Sequence, residues 1–177
     1  MDTSKQEALW ILRAQCGDRE ALELLLRQVQ LPLHRYLKGL VGRTDAEDIL
    51  QEVLVQVFRK LTWLEKPELF RPWVFRIASR AAFRRLKAER RRQPADESLL
   101  EDVAAPEPPS SDELLQHLVG GDALPPASRS VLLLHFKEEM TLPEVAAVLD
   151  IPIGTVKSRL AYGLAVLRKQ LGQRRKS

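Results

Sequence analysis

A single cysteine, Cys16, and three widely spaced histidines, His34, His117 and His135, are all that this 177-residue sequence offers a soft or imidazole-seeking metal. One thiol cannot close an intrachain disulfide, and no cysteine cluster is available for zinc. No metal site and no cofactor are therefore expected, and Cys16, near the end of an amphipathic stretch, reads as a small buried hydrophobe. Aromatic residues make up only 6% of the chain and glycines number eight, which leaves an aliphatic core and no glycine-rich phosphate cradle. Strand-like alternation of β-branched residues is scarce. No run approaches the roughly 20 apolar residues that span a bilayer. The N-terminal MDTSKQEALWILRAQCGD is amphipathic and lacks a signal-peptide core, so no stable membrane insertion is expected and the expected location is the cytoplasm. No nucleophile–base pair is visible, and no catalytic residue is assigned. What the chain has in abundance is Leu, Ala, Glu, Arg and Gln, all good helix formers. The expected class is all-α.

Charge is segregated rather than scarce. The net charge is +4, but residues 71–92 carry nine basic side chains and one acidic, whereas residues 93–113 carry seven acidic and no basic ones. A basic helix followed by an acidic strip points to a polyanionic partner. Residues 93–112, QPADESLLEDVAAPEPPSSD, hold four prolines among acidic and small residues, a composition that buries too little apolar area to order itself. The expected architecture is two small helical domains, 1–92 and 113–177, joined by a flexible, acidic, proline-rich linker over 93–112.

In the first domain a helix from about Ser4 to Gln15 stops at Gly17, and Asp18 caps a second helix that Pro32 should kink or restart. Thr44 and Glu47 have capping-box spacing for a third helix. Ala46, Ile49, Leu50, Val53, Leu54, Val57, Phe58 and Leu61 then form its buried stripe, and Asp48, Gln51, Glu52 and Gln56 stay free for a partner. After the loop LTWLEKPELFRP, Pro72 suits the first turn of a fourth helix. There Trp73, Val74, Ile77, Ala78 and Ala81 face inward. Arg76, Arg80, Arg84, Lys87 and Arg91 line one side at three-four spacing, with Glu89 the one acidic residue on the helix. Like charges so placed repel, and a phosphate backbone offsets that repulsion and releases counterions. The bland alternative is a solvated face.

The second domain carries the other strong pattern. Thr141 and Glu144 again have capping-box spacing, Asp150-Ile151-Pro152 makes a turn, and a longer helix starts at Gly154-Thr155 and runs to about Leu171. Val156, Leu160, Leu164, Leu167 and Leu171 face inward, whereas Thr155, Lys157, Ser158, Ala161 and Tyr162 face out. This is helix-turn-helix spacing, in which the second helix enters the major groove by its N-terminal part. A plain helical hairpin with a polar outer face is the alternative.

At this point the residues resemble the extracytoplasmic-function sigma factors of bacterial RNA polymerase. The run DAEDILQEVLVQVF (Asp45–Phe58) is similar to that family's polymerase-clamp helix, and FRPWVFRIASRAAFRRLKAERRR (Phe70–Arg92) to its promoter-melting helix. LPPASRSVLLLHF (Leu124–Phe136) and TLPEVAAVLDIPIGTVKSRL (Thr141–Leu160) are similar to its C-terminal helix-turn-helix. The resemblance implies a region 2-like domain over 1–92 and a region 4-like domain over 113–177. It further implies binding of core polymerase at its clamp and flap, with Asp45, Asp48, Gln51 and Glu52 on the clamp. The −10 element would fall to Trp63, Phe70, Arg76, Arg80, Arg84, Lys87 and Arg91, where the loop from Thr62 to Arg71 captures a flipped base. Trp63 and Phe70 can stack on a base or pack in the core. The −35 element would be read by Lys157, Ser158, Ala161 and Tyr162, with Thr155 and Arg159 on phosphates. An anti-sigma protein is the further partner that the family implies. Arg80 and Arg84 depart from the family's frequent Asn and its polar or acidic residue there, and Tyr162-Gly163 replaces a common basic-small pair. The rival reading is a helix-turn-helix regulator that binds duplex DNA by itself.

Overall fold

Turns and caps set the element boundaries of this chain. The computed structural model describes residues 3–92 and 124–174. The expected linker over 93–112 and the short helical segment expected from Leu114 to Val119 lie outside the described residues. Among the described residues there are seven α-helices and no strand. Packing divides the chain into two units, Met1–Arg84 and Arg85–Ser177.

In the first unit α1 spans Thr3–Gln15, α2 Arg19–Val41 and α3 Arg43–Lys60, followed by 3₁₀ turns at Leu61–Trp63 and Pro67–Leu69 and by α4 over Phe70–Arg92, which runs past the boundary at Arg84. Gly17 takes φ +94° to reverse the chain after α1, a value that a side chain would resist. Asp18 then caps α2, its Oδ1 accepting from the amides of Glu20 at 3.0 Å and Ala21 at 3.1 Å, as expected of an N-cap carboxylate. Helix α2 runs unbroken through Pro32, so the expected restart does not occur. The buried run Val29, Leu33, Tyr36, Leu37 and Leu40 continues across the proline, and packing of that face outweighs the one hydrogen bond it cannot make.

The expected capping box at Thr44 is absent. Gly42 at φ +87° ends α2 and is also the N-cap of α3, with no side-chain cap bond. The helix starts two residues early, so Thr44 falls inside its first turn. The inward stripe holds at Ala46, Ile49, Leu50, Val53, Val57 and Leu61, but Phe58 is 60% exposed. At about 100° per residue Phe58 lies a quarter turn or more off the line of Val53 and Val57, too far round to reach the core. Cys16 is also exposed. It follows the last turn of α1, and the small buried hydrophobe expected there is not found.

Helix α4 is tied to α2 inside the core. Tyr36 and Phe75 meet edge to face at 5.5 Å. Ser79 Oγ donates to the Phe75 carbonyl at 2.8 Å and lies 2.8 Å from Tyr36 Oη. A serine has one proton, so the tyrosine is the donor to Ser79, and both buried hydroxyls are satisfied.

In the second unit α5 (Pro126–Leu132) runs into a π-helical turn, Leu133–Lys137, followed by α6 (Leu142–Leu149) and α7 (Ile153–Arg174). Leu132, Leu133, Leu134, Val145, Val148, Val156 and Leu167 form its core. Each such side chain contributes about 1.5–3 kcal/mol by leaving water.

Candidate nucleic-acid and polymerase interface

The outer face of α3 is built by what its inner face excludes. With one stripe committed to the core, Asp48, Gln51 and Glu52 are exposed, whereas Asp45 is half-buried in the first turn. Val55 and Phe58 extend this face toward the C-terminus as apolar surface, 48% and 60% exposed. Sequence periodicity assigned Phe58 to the core. The signal that distinguishes it is the width of the stripe, since eight positions spread over more of the circumference than one core-facing face allows.

Glu52 is already engaged. Its Oε1 accepts from Gln56 Nε2 at 2.9 Å and forms an ion pair with Arg84 of α4. The pair joins a residue assigned to polymerase with one assigned to promoter DNA. Both side chains are about half exposed or more, which limits such a pair to well under a strong interaction. The other members of the basic row are spread along α4. Arg80, Lys87 and Arg91 are exposed and Arg76 is half-buried.

Between α3 and α4 the chain displays an aromatic ring. Trp63 is 82% exposed, while Leu61 and Leu64 on either side are buried. Phe70 is different. It is wholly buried, with its ring centroid 6.3 Å from that of Trp73. Of the two readings open for Phe70, base stacking or core packing, the burial of its ring at the start of α4 favours the core.

The helix-turn-helix of the second unit closes as its spacing predicts. Thr141 Oγ1 accepts from the Glu144 amide at 3.4 Å, and Glu144 Oε2 accepts from the Thr141 amide at 2.7 Å, a complete capping box. Asp150 ends α6 in the left-handed region at φ +55°, which aspartate tolerates better than most side chains. The Pro152 carbonyl then accepts from the Thr155 amide at 2.9 Å to open α7. Along that helix Lys157, Ser158 and Ala161 are exposed, and Thr155, Arg159 and Tyr162 are half-buried. Ser158 Oγ donates to the Thr155 carbonyl at 3.0 Å, so in this rotamer it faces a nucleic acid as an acceptor, suited to a base amino group rather than to phosphate.

Two glycines of α7 have different surroundings. A Cβ at Gly154 would meet nothing within 4 Å, whereas one at Gly163 would stand 2.6 Å from Leu132 Cδ1. Gly163, noted in the sequence only as part of the Tyr162-Gly163 departure, is the site of close α5–α7 approach.

Among the described residues no group of His, Cys, Asp or Glu is arranged to hold a metal ion. No helix among them is long and apolar enough to cross a membrane.

Comparison with known proteins gives the two units separate matches in order. Residues 25–92 match the family model described as Sigma-70 region 2, and residues 122–169 match Sigma-70, region 4. The ECF RNA polymerase sigma-E factor of Haemophilus influenzae is 29% identical over 162 residues, 84% of this chain and 86% of that protein. The sigma-E factor of Escherichia coli strain K12 is 27% identical over 174 residues, 90% of this chain and 91% of that protein. In fold, the chain is similar to a solved structure of CnrH in complex with the cytosolic domain of CnrY. The TM-score is 0.66 at 22% identity, covering 94% of this chain and 97% of that one. With a region 2 and a region 4 in sequence on one short chain, and sigma-E factors matching it over most of its length, the protein belongs to the extracytoplasmic-function sigma factors.

Proposed function

We propose that this chain binds core RNA polymerase through the outer face of α3, engages the −10 element through the Trp63 loop and α4, and engages the −35 element through α7. It is a DNA-binding transcription initiation factor that directs promoter-specific transcription. Binding and strand separation are its part, and the polymerase does the chemistry in the cytoplasm, where both reside. The domain limits proposed for these roles are 1–92 and 113–177, with 93–112 running through the polymerase between the two DNA contacts. The observation that carries the reading is the presence, in one unit, of an exposed carboxylate face on α3 beside a basic helix and an outward indole. The match to region 2 weighs against a regulator that acts on duplex DNA alone.

Asp48 gives the cleaner test, because changing Glu52 also removes the partner of Arg84. Run-off transcription from native genomic fragments is expected to need both core polymerase and this chain, and Asp48→Lys is expected to lower it at least tenfold through weaker core association, a loss of about 1.4 kcal/mol or more. Unchanged transcription by Asp48→Lys would sink the α3 assignment. An inhibitory anti-sigma partner is also proposed, supported by the family and by the second protein bound to CnrH. Co-purification from the native host that yields only core polymerase under every condition would count against it.

A further inference from the structure

Gln15, the last residue of α1, belongs to none of the three proposed contact surfaces. It lies in the apolar register of its helix, four residues after the buried Ile11, where a polar side chain calls for a partner. Its carboxamide Nε2 donates to two backbone carbonyls, Leu61 O at 2.9 Å and Leu64 O at 2.8 Å. These carbonyls bracket the 3₁₀ turn that carries Trp63. The Leu64 amide also donates to Leu61 O at 3.1 Å, so the turn is closed by its own backbone and tied to α1 at both ends. Leu61 and Leu64 are buried, while Trp63 stands 82% exposed between them.

We propose that Gln15 is a positioning residue for Trp63, holding the turn so that the indole is presented as a stacking platform before an unstacked promoter base arrives. The inference rests on the reading of residues 62–71 as the −10 loop and adds the residue that sets the geometry of that loop. Ordering the turn in advance removes its conformational freedom from the binding step. The chemistry selects glutamine. Two hydrogens on one nitrogen serve two carbonyls, whereas Glu has no donor in its ionised form and Asn is one carbon shorter.

The test uses the full chain with Trp10→Phe and Trp73→Phe, which leaves Trp63 as the remaining tryptophan. Gln15→Met keeps the length and Gln15→Glu keeps the shape, and both remove the donors at neutral pH. Both are expected to lower the fluorescence anisotropy of Trp63 while helicity by circular dichroism is kept. With core polymerase on a promoter fragment, both are expected to reduce open-complex formation about tenfold, the scale of two lost hydrogen bonds, without changing core association. Trp63→Ala is expected to do the same, and Gln15→Met added to Trp63→Ala is expected to lose nothing more, because the platform is already gone. A residue that served stability alone would instead add its loss to that of Trp63. Unchanged anisotropy in both Gln15 variants, or additive losses in the double variant, overturns the inference. If the unsubstituted chain forms no open complex with core, the reading of the loop fails and the indole's role with it, and the anisotropy result then decides only whether Gln15 orders the turn.

Discussion

Gly154 and Gly163 occupy the same helix under opposite constraints. At Gly163 an added methyl would collide with Leu132, itself wholly buried, so the neighbour has nowhere to withdraw. Overpacking of this kind costs about 1–3 kcal/mol, against which alanine regains up to about 1 kcal/mol of helix propensity. Gly163→Ala is therefore expected to lower the thermal midpoint. At Gly154 the space is open, and the same change is expected to raise the midpoint while weakening −35 binding, because a methyl would stand between the helix start and the phosphate. Thermal melts and a binding titration of the two variants check both signs. Two carboxylates offer a similar contrast. The amide of Ala21, then Arg13, hold Asp18 below its ordinary 3.8, whereas burial lifts Glu7 above 4.5 against the opposing pull of Arg71. A depressed carboxylate stabilises the fold above its unfolded value and loses that contribution as pH falls through the folded one; a raised carboxylate does the reverse. Asp18→Ala is expected to melt below the unsubstituted chain at neutral pH, with the gap closing in acid. Glu7→Gln is expected to melt above it at neutral pH, with the gap closing as pH falls through the raised folded value toward 4.5.

The turn before the recognition helix depends on a cap that was readable in advance. Thr141 and Glu144 satisfy each other's amides at the start of α6, and Thr141→Ala is expected to destabilise the chain by about 1 kcal/mol. Chemical denaturation monitored by helicity would measure it, and a loss within error would remove the capping box from the account. Local chemistry of this sort made α6, α7 and the Asp18 cap legible, because the donor and acceptor lie within a few residues of each other. Long-range geometry was not legible. The pattern at Thr44 and Glu47 is the same as at Thr141 and Glu144, yet Gly42 starts α3 earlier and leaves the box unused. The contacts of Gln15 with a turn 46 and 49 residues away and of Glu52 with Arg84 across two helices leave no mark in local spacing. Phe58 and Phe70 show the same limit from the other side. One aromatic ring reads as core and is exposed, the other was open to either reading and is buried, and only the packing of neighbouring helices separates them.

At the scale of the whole molecule, modest contacts become useful through their connection. The DNA contacts proposed for the α4 row and the α7 face would each rest largely on phosphate, and a phosphate contact weakens as salt rises. Joining them on one chain turns the second binding event into an intramolecular one, and avidity then exceeds either affinity by about 10²–10⁴. In the proposed reading the polymerase supplies a third attachment through α3, which would place both DNA contacts on one promoter. A protease site inserted within 93–112 separates connection from composition, since the two units are made and folded together before cutting. Cleavage is expected to reduce promoter-specific run-off about a hundredfold or more at moderate salt, with less loss at low salt, where each phosphate contact is stronger. Equal transcription before and after cutting would mean that each unit finds its site through the polymerase alone, and the covalent link would have no energetic role.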